Sequence, residues 1–338
     1  MNKSQYNLLI FLSGLHIVIS LFQALIYFQL GPQLYTLDAF VNWFILTVVM
    51  FVVDSFLLLK YYRHKEYSFA FTVGIIAAIA SFCFFIIAYN TITTRELAPY
   101  YTPGYILVLV TGMLHGVSMV FSKAGERPYL KIAGVFAVVV GLISLPLFIL
   151  ASREQDAYLR ITYEKIILWT SLAESFIPLL LIKNFLDELK VAKKENLHIK
   201  AEDSVEGLII FIKLIAVVAT LLFGLMLGNE SYSSLYWNKK NFEKTQDLAK
   251  LFEAHAFVNS KGDTLLYRLL KPLDYDSTKK YPLVVSLPYG GQPSTDKVRQ
   301  IEGAAAAEVL SSNFNRKKYP AFIFIPHCPP GSGWGRRS

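Results

Sequence analysis

Seven apolar runs, each close to the roughly 20 residues needed to cross a bilayer, fill the chain as far as residue 227. They are Asn7–Leu30, Phe40–Leu59, Tyr67–Tyr89, Gly104–Phe121, Ile132–Ala151, Ile166–Ile182 and Gly207–Leu227. In hydrocarbon every backbone polar group must find an internal partner, so such runs must be helices. Hydrophobic residues make up 54% of the 338 residues and charged ones 17%, against about 25% charged in a soluble domain. The mean hydropathy of +0.41 agrees. The bilayer is therefore the expected partner of residues 1–228, read as a seven-helix transmembrane domain.

Loop charge predicts the orientation, because positive residues resist translocation. With a cytoplasmic N-terminus, the inner segments hold Lys3, Lys60, Arg63, Lys65, Lys123, Arg127, Lys131, Lys183, Lys190, Lys193, Lys194 and Lys200. The outer ones hold Arg95, Arg153, Arg160 and Lys165, a twelve-to-four split. The expectation is a multi-pass protein of the plasma (inner) membrane, N-terminus cytoplasmic and C-terminal region extracytoplasmic. The first run is longer than a signal-peptide core and shows no small-residue cleavage site, which predicts a retained anchor. The net charge of +8 fits loop lysines and arginines set for topology. No basic stretch is interleaved with aromatics, which argues against nucleic acid as a partner. Cys83 and Cys328 have no metal-type spacing, and neither a metal nor a cofactor is expected.

Ionisable groups inside apolar runs are costly and invite a functional reading. The candidates are Asp54, His115, Glu174 and Lys213, with His16 also within a run. They could form a proton or ion path, or a ligand pocket. Alternatively Asp54 pairs with Lys213, Lys213 snorkels, and the others hydrogen-bond between helices. Pro146 and Pro178 are expected to kink their helices. Residues 183–206 (KNFLDELKVAKKENLHIKAEDSVE) mix charge signs at helical spacing, the pattern of a solvated cytoplasmic helix.

Beyond residue 228 the composition becomes that of a soluble domain. Residues 229–255 include the amphipathic NFEKTQDLAKLFEA and are expected to form a stem. HAFVNSKGDTLLYRLLKP then alternates about Asn259–Asp263, with Gly262 supplying a tight turn, which predicts a β-hairpin. Two apolar runs, Leu283–Leu287 and Ala321–Ile325, read as strands flanking a helix over Lys297–Leu310.

The residues LYRLLKPLDYDSTKKYPLVVSLPYGG, ending its loop in TD, and YPAFIFIPHCPPGSGW carry a family resemblance. Residues 256–334 resemble the N-terminal part of α/β-hydrolase-fold esterases and peptidases, most closely the bacterial phospholipase/carboxylesterase-like predicted peptidases. The expected fold class is thus mainly α, a bundle of about seven transmembrane helices followed, over 256–338, by an incomplete α/β-hydrolase-like domain. The resemblance implies a serine hydrolase of ester or peptide bonds that needs no cofactor. It places the oxyanion loop at Pro288–Pro293, with Tyr289, Gly290 and Gly291 as candidates. Pro288 and Tyr289 stand where the family commonly has His-Gly, and proline cannot donate.

No G-x-S-x-G occurs in the chain. Ser332, in GSGW, lacks the glycine spacing of that motif and follows a strand rather than sitting on an elbow, and His327 follows the same strand rather than standing at the end of the fold where the triad histidine belongs. No catalytic residue is therefore assigned, and the chain is expected to be truncated and inactive as it stands. The other reading of the whole is a non-enzymatic seven-helix sensor or transporter with a remnant or binding ectodomain.

Overall fold

The structure is a computed structural model that describes residues 3–122, 128–154, 157–194, 203–288, 301 and 303–327. At positions 157, 158, 160, 161, 192–194 and 203–205 it describes the backbone alone. The chain divides into two compact units, Met1–Arg153 with Ile161–Tyr232, and Glu154–Arg160 with Ser233–Ser338.

The first unit is helical: α1 (Lys3–Leu30), α2 (Asp38–His64), α3 (Ser68–Thr93), α4 (Tyr101–Val120), α5 (Pro128–Arg153), α6 (Ala157–Glu174), α7 (Ile177–Lys194) and α8 (Asp203–Ala249). Seven stretches are long and apolar enough to cross a membrane, with α6 and α7 together making the sixth, Thr162–Val191. This is the architecture of a multi-pass membrane protein. Leucine and isoleucine side chains stand exposed around these helices, with Leu225 at 73% and Ile210, Phe211 and Leu214 all exposed on α8. Apolar surface on that scale suits lipid rather than water.

From α1 to α5 the helices pack in chain order, and α7 returns to touch both α1 and α5. Between α4 and α5 the approach is set by two glycines. A Cβ on Gly134 would lie 2.5 Å from the Gly116 carbonyl oxygen, and one on Gly116 would lie 2.8 Å from the Gly134 carbonyl oxygen. Small residues at a crossing let backbones meet where no hydrophobic force holds helices together. At the far end of α2, Glu230 of α8 accepts from the Asp38 and Ala39 amides at 3.0 and 2.7 Å. A carboxylate there satisfies two of the unpaired N–H groups that open a helix.

One expectation needs correction here. Of residues 183–206, 195–202 lie outside the described residues, and the start is not simply a solvated extension, because Asn184, Phe185 and Glu188 of α7 are buried. Their apolar and hydrogen-bonding contacts with α1 and α2 outweigh the high charge of the segment. Of residues 229–255, expected as a stem, those up to Ala249 continue the last span without a break in α8, and a strand begins at Glu253. Nothing in Gly228–Asn229 interrupts the helical hydrogen bonds, so one long helix is the simpler solution.

In the second unit, β1 (Glu253–Val258) and β2 (Thr264–Leu270) form the expected hairpin about Asn259–Asp263. Gly262 has φ +88°, and the Asn259 side chain accepts from the Lys261 and Asp263 amides, which fixes the turn. The third strand, β3, covers Leu283–Val285, and β4 covers Phe322–Pro326. The sheet order is β1-β2-β4-β3, with β3 and β4 parallel and the other pairs antiparallel. Two short helices, α9 (Ala305–Leu310) and α10 (Asn313–Lys318), lie between β3 and β4 in the chain. The expected helix is thus described over its last turns only, and α10 was not expected.

Ala307, Ile323, Ile325 and Leu270 form the core of this unit with Ala249 and Phe252. Arg268 on β2 donates to the Ala249 and Phe252 carbonyls at 3.1 and 3.3 Å, which fastens the end of α8 to the hairpin. Ser286 is buried; its hydroxyl accepts from the Ala307 amide at 3.3 Å, supplying the cap that Ala304 cannot.

Two outcomes follow from this packing. Gly134→Ala should push α4 and α5 apart and cost about 1–3 kcal/mol, read as a lower melting temperature of the purified protein in detergent. The Glu253 carboxyl is held below its ordinary 4.5 by the Lys271 ammonium and then by His255, at 2.9 and 3.1 Å. A depressed carboxyl favours the folded state above pH 4.5 and loses that contribution as pH falls through its lower folded value. A carbon-detected NMR titration should therefore place Glu253 below 4.5, and Lys271→Ala should move it upward.

Candidate functional site

Within the helical unit a cavity of about 340 Å³ opens among α1 to α7. Three of the four intramembrane polar candidates reach it: Asp54 from α2, His115 from α4 and Glu174 from the end of α6. His16 of α1 lines it as well, and Ser55, Tyr62, Ser81 and Tyr105 add polar groups. Lys213 does not. Its ammonium lies 5.5 Å from the centre of the Phe11 ring, while Asp54 accepts from the Ser13 hydroxyl at 3.3 Å. The alternative in which Asp54 pairs with Lys213 is thereby replaced: each has found a partner on α1.

Local sequence explains how these groups arrive. On α2, Asp54, Leu58 and Tyr62 recur every four residues, which puts them on one face of the helix. On α3, Gly74, Ala77, Ala78 and Ser81 are all small, and the space they leave becomes the cavity wall. A Cβ on Gly74 would stand 3.3 Å from His115 Nε2 and 3.0 Å from Leu59 Cδ2, so glycine makes room for the imidazole.

The sixth span is broken where it meets the cavity. α6 ends at Glu174, Ser175 and Phe176 form a tight turn, and α7 starts at Ile177 with Pro178 second. The turn closes with short-range bonds, Ser175 N–H to the Ser171 and Leu172 carbonyls and Phe176 N–H to the Ala173 carbonyl. Pro178, expected to kink a helix, stands at the start of a new one, where its missing N–H costs little. Pro146, in contrast, lies inside α5, which runs through it. A helix break at membrane depth is tolerated where it lines a cavity.

Two buried polar atoms at the cavity have no partner among the described residues, the Tyr62 hydroxyl and His115 Nε2. Their rings meet edge to face with centres 5.6 Å apart. Tyr62 has no exposed surface at all. Buried polar groups are nearly always satisfied, so these two atoms call for a partner such as a water, an ion or a ligand.

A second charged cluster was not foreseen. Glu188 on α7, 5% exposed, accepts from Tyr6 of α1 at 2.9 Å and from Tyr61 of α2 at 2.5 Å. The Lys65 ammonium is 2.7 Å away, and Asn184 donates to the Tyr61 hydroxyl at 3.0 Å. The available signal was the spacing of Asn184 and Glu188, four residues apart and in phase with Leu181 on the buried side of the helix. It was hidden by the charge of the surrounding segment.

The hydrolase-like segment offers less. The oxyanion-loop candidates Tyr289, Gly290 and Gly291 lie outside the described residues, as do Cys328 and Ser332. His327 follows β4, and its amide donates to the Leu266 carbonyl at 2.8 Å, which gives it a place in the sheet. No group of three or more potential metal ligands occurs among the described residues.

No protein-family model and no curated protein matches the chain. Among solved structures, it is similar to one described as the crystal structure of a thermostable esterase, at 35% identity and a TM-score of 0.24. The match spans 26% of this chain and 24% of that one.

The two buried carboxyl sites should respond oppositely to neutralisation. Glu188→Ala strands two tyrosines and a lysine and should lower stability by about 3–5 kcal/mol. Glu174 has no partner among the described residues, so Glu174→Gln should leave the melting temperature unchanged or raised. Differential scanning fluorimetry of both variants in detergent decides this.

Proposed function

We propose that this chain is a membrane-anchored protein of the serine-hydrolase class, acting on ester or peptide bonds, whose hydrolase-like part faces the extracytoplasmic side. The arrangement of the second unit carries this reading. A hairpin is followed in the chain by a third strand, two short helices and a fourth strand parallel to the third, which fits the order the resemblance implies. In that fold one oxyanion N–H comes from the loop between the third strand and the first helix. Here that loop is the stretch after β3 that contains Tyr289, Gly290 and Gly291. The nucleophile, its acid and its histidine are not assigned to any residue of the chain. In this reading residues 281–334 supply the oxyanion side of a site, and the seven helices hold it at the membrane.

A serine-directed fluorophosphonate should leave the chain as given unlabelled, and the coding DNA beyond residue 338 should supply G-x-S-x-G, then an acid and a histidine. Unrelated sequence there would sink the reading. Orientation has its own check. A cysteine placed at Ser260 in the hairpin turn, with Cys83 and Cys328 replaced by serine, should react with a membrane-impermeant maleimide on intact cells.

The second reading, a helical unit that senses or carries a small ligand, is favoured by one observation, the polar cavity around Asp54 and Glu174. The two readings concern different units, so both can hold.

A further inference from the structure

We propose that the cavity bounded by Asp54, Glu174, Tyr62 and His115 is a binding site for a small organic ammonium cation. This goes beyond the hydrolase reading and rests on none of its residues.

The sign of the ligand follows from what lines the site. Two carboxyl groups reach the cavity, and among the described residues neither a lysine nor an arginine does. Asp54 has one hydroxyl partner, Ser13, and Glu174 has none among the described residues. A carboxylate in a low-dielectric site is costly unless a counter-charge accompanies it. Glu174 is the last residue of α6, so the break in the sixth span brings its carboxyl to the same space as Asp54.

Size separates an organic cation from a bare ion. About 340 Å³ falls within the usual range of small-molecule pockets, roughly 300–1,000 Å³, and far exceeds the cage of a single metal ion. The described residues also lack the converging oxygen or nitrogen ligands that a metal site needs. Aromatic rings complete the fit. Phe51, Tyr62 and Tyr105 line the cavity, and an ammonium over such a ring gains about 0.5–2 kcal/mol. Tyr62 further offers a fully buried hydroxyl with no partner of its own, and His115 a buried nitrogen. A primary ammonium has three donors, enough to engage a carboxylate, the tyrosine oxygen and an imidazole nitrogen together.

The test uses the full chain in lipid nanodiscs at constant ionic strength and fixed pH. Butylammonium, putrescine and choline are titrated by isothermal calorimetry, with 1-butanol and butyrate as neutral and anionic controls. At least one ammonium should bind saturably, and the controls should not. Asp54→Asn and Glu174→Gln should each weaken that binding by at least about tenfold. Tyr62→Phe removes a hydroxyl that no described residue uses, so it should fold as the parent does and weaken the primary amines more than choline. Equal binding of 1-butanol would mean a merely apolar cavity and would overturn the proposal. So would the absence of saturable ammonium binding, or unchanged affinity in the two carboxyl variants. None of these results depends on the second unit, so failure here leaves the hydrolase reading untouched.

Discussion

A buried negative charge on α7 does most to set the register of the helical unit. Glu188 draws hydroxyls from α1 and α2 and an ammonium from the end of α2, so three helices converge on one carboxylate. Lipid supplies no hydrophobic force between helices, so packing and polar contacts must fix which faces meet. The glycine crossing of α4 and α5 fixes the other side by shape alone. Phe185, fully buried beside Tyr6 and Tyr61, adds edge-to-face ring contacts around the same point. With α7 pinned against α1 and α2, and also touching α5, the bundle closes on itself.

The same helices treat their other carboxyl groups quite differently. Asp54 sits two turns before Tyr62 and is met by a single serine, and Glu174 ends a helix facing open space. A fold that can give Glu188 two hydroxyls and an ammonium could have done so twice. Natural proteins commonly leave charge under-satisfied where function needs it, at a cost in stability. The contrast is internal to one unit of one chain, so the environment at large does not explain it. The two sites also touch: Tyr61 serves the Glu188 cluster while its neighbour Tyr62 lines the cavity, with ring centres 5.8 Å apart.

Much of this architecture was legible in the residues. Apolar run length gave seven spans because a bilayer leaves the backbone no other choice, and Asn259–Asp263 gave the hairpin because Gly262 needs a positive φ. Asp54, His115 and Glu174 stood out as charge in hydrocarbon, yet their meeting in one cavity depends on small residues of α3 that look like ordinary membrane sequence. Glu188 was hidden for the opposite reason. Its segment carries so much charge that a solvated helix was the natural reading, and only tertiary contacts with Tyr6 and Tyr61 reverse it. The composition change after residue 228 reads as a boundary, yet α8 keeps its helical bonds through it to Ala249.

The break in the sixth span connects these themes. A continuous helix from Thr162 to Val191 would satisfy its own backbone more cheaply than two helices joined at Ser175 and Phe176. Pro178 removes one hydrogen bond from any such continuous helix and so narrows the difference, but proline alone does not force separation, since Pro146 sits within an unbroken α5. The two halves are held from different sides. α7 is fixed by Glu188 to α1 and α2, whereas α6 is tied to α5 through Thr170 and Ser144, whose hydroxyls lie 3.0 Å apart. Two anchors on two halves give the turn a defined position, and that position is the cavity wall. Glu174, at the end of α6, thus lines the same space as Asp54. An interruption that costs backbone hydrogen bonds is retained where it brings together the two least satisfied carboxyl groups of the cavity wall.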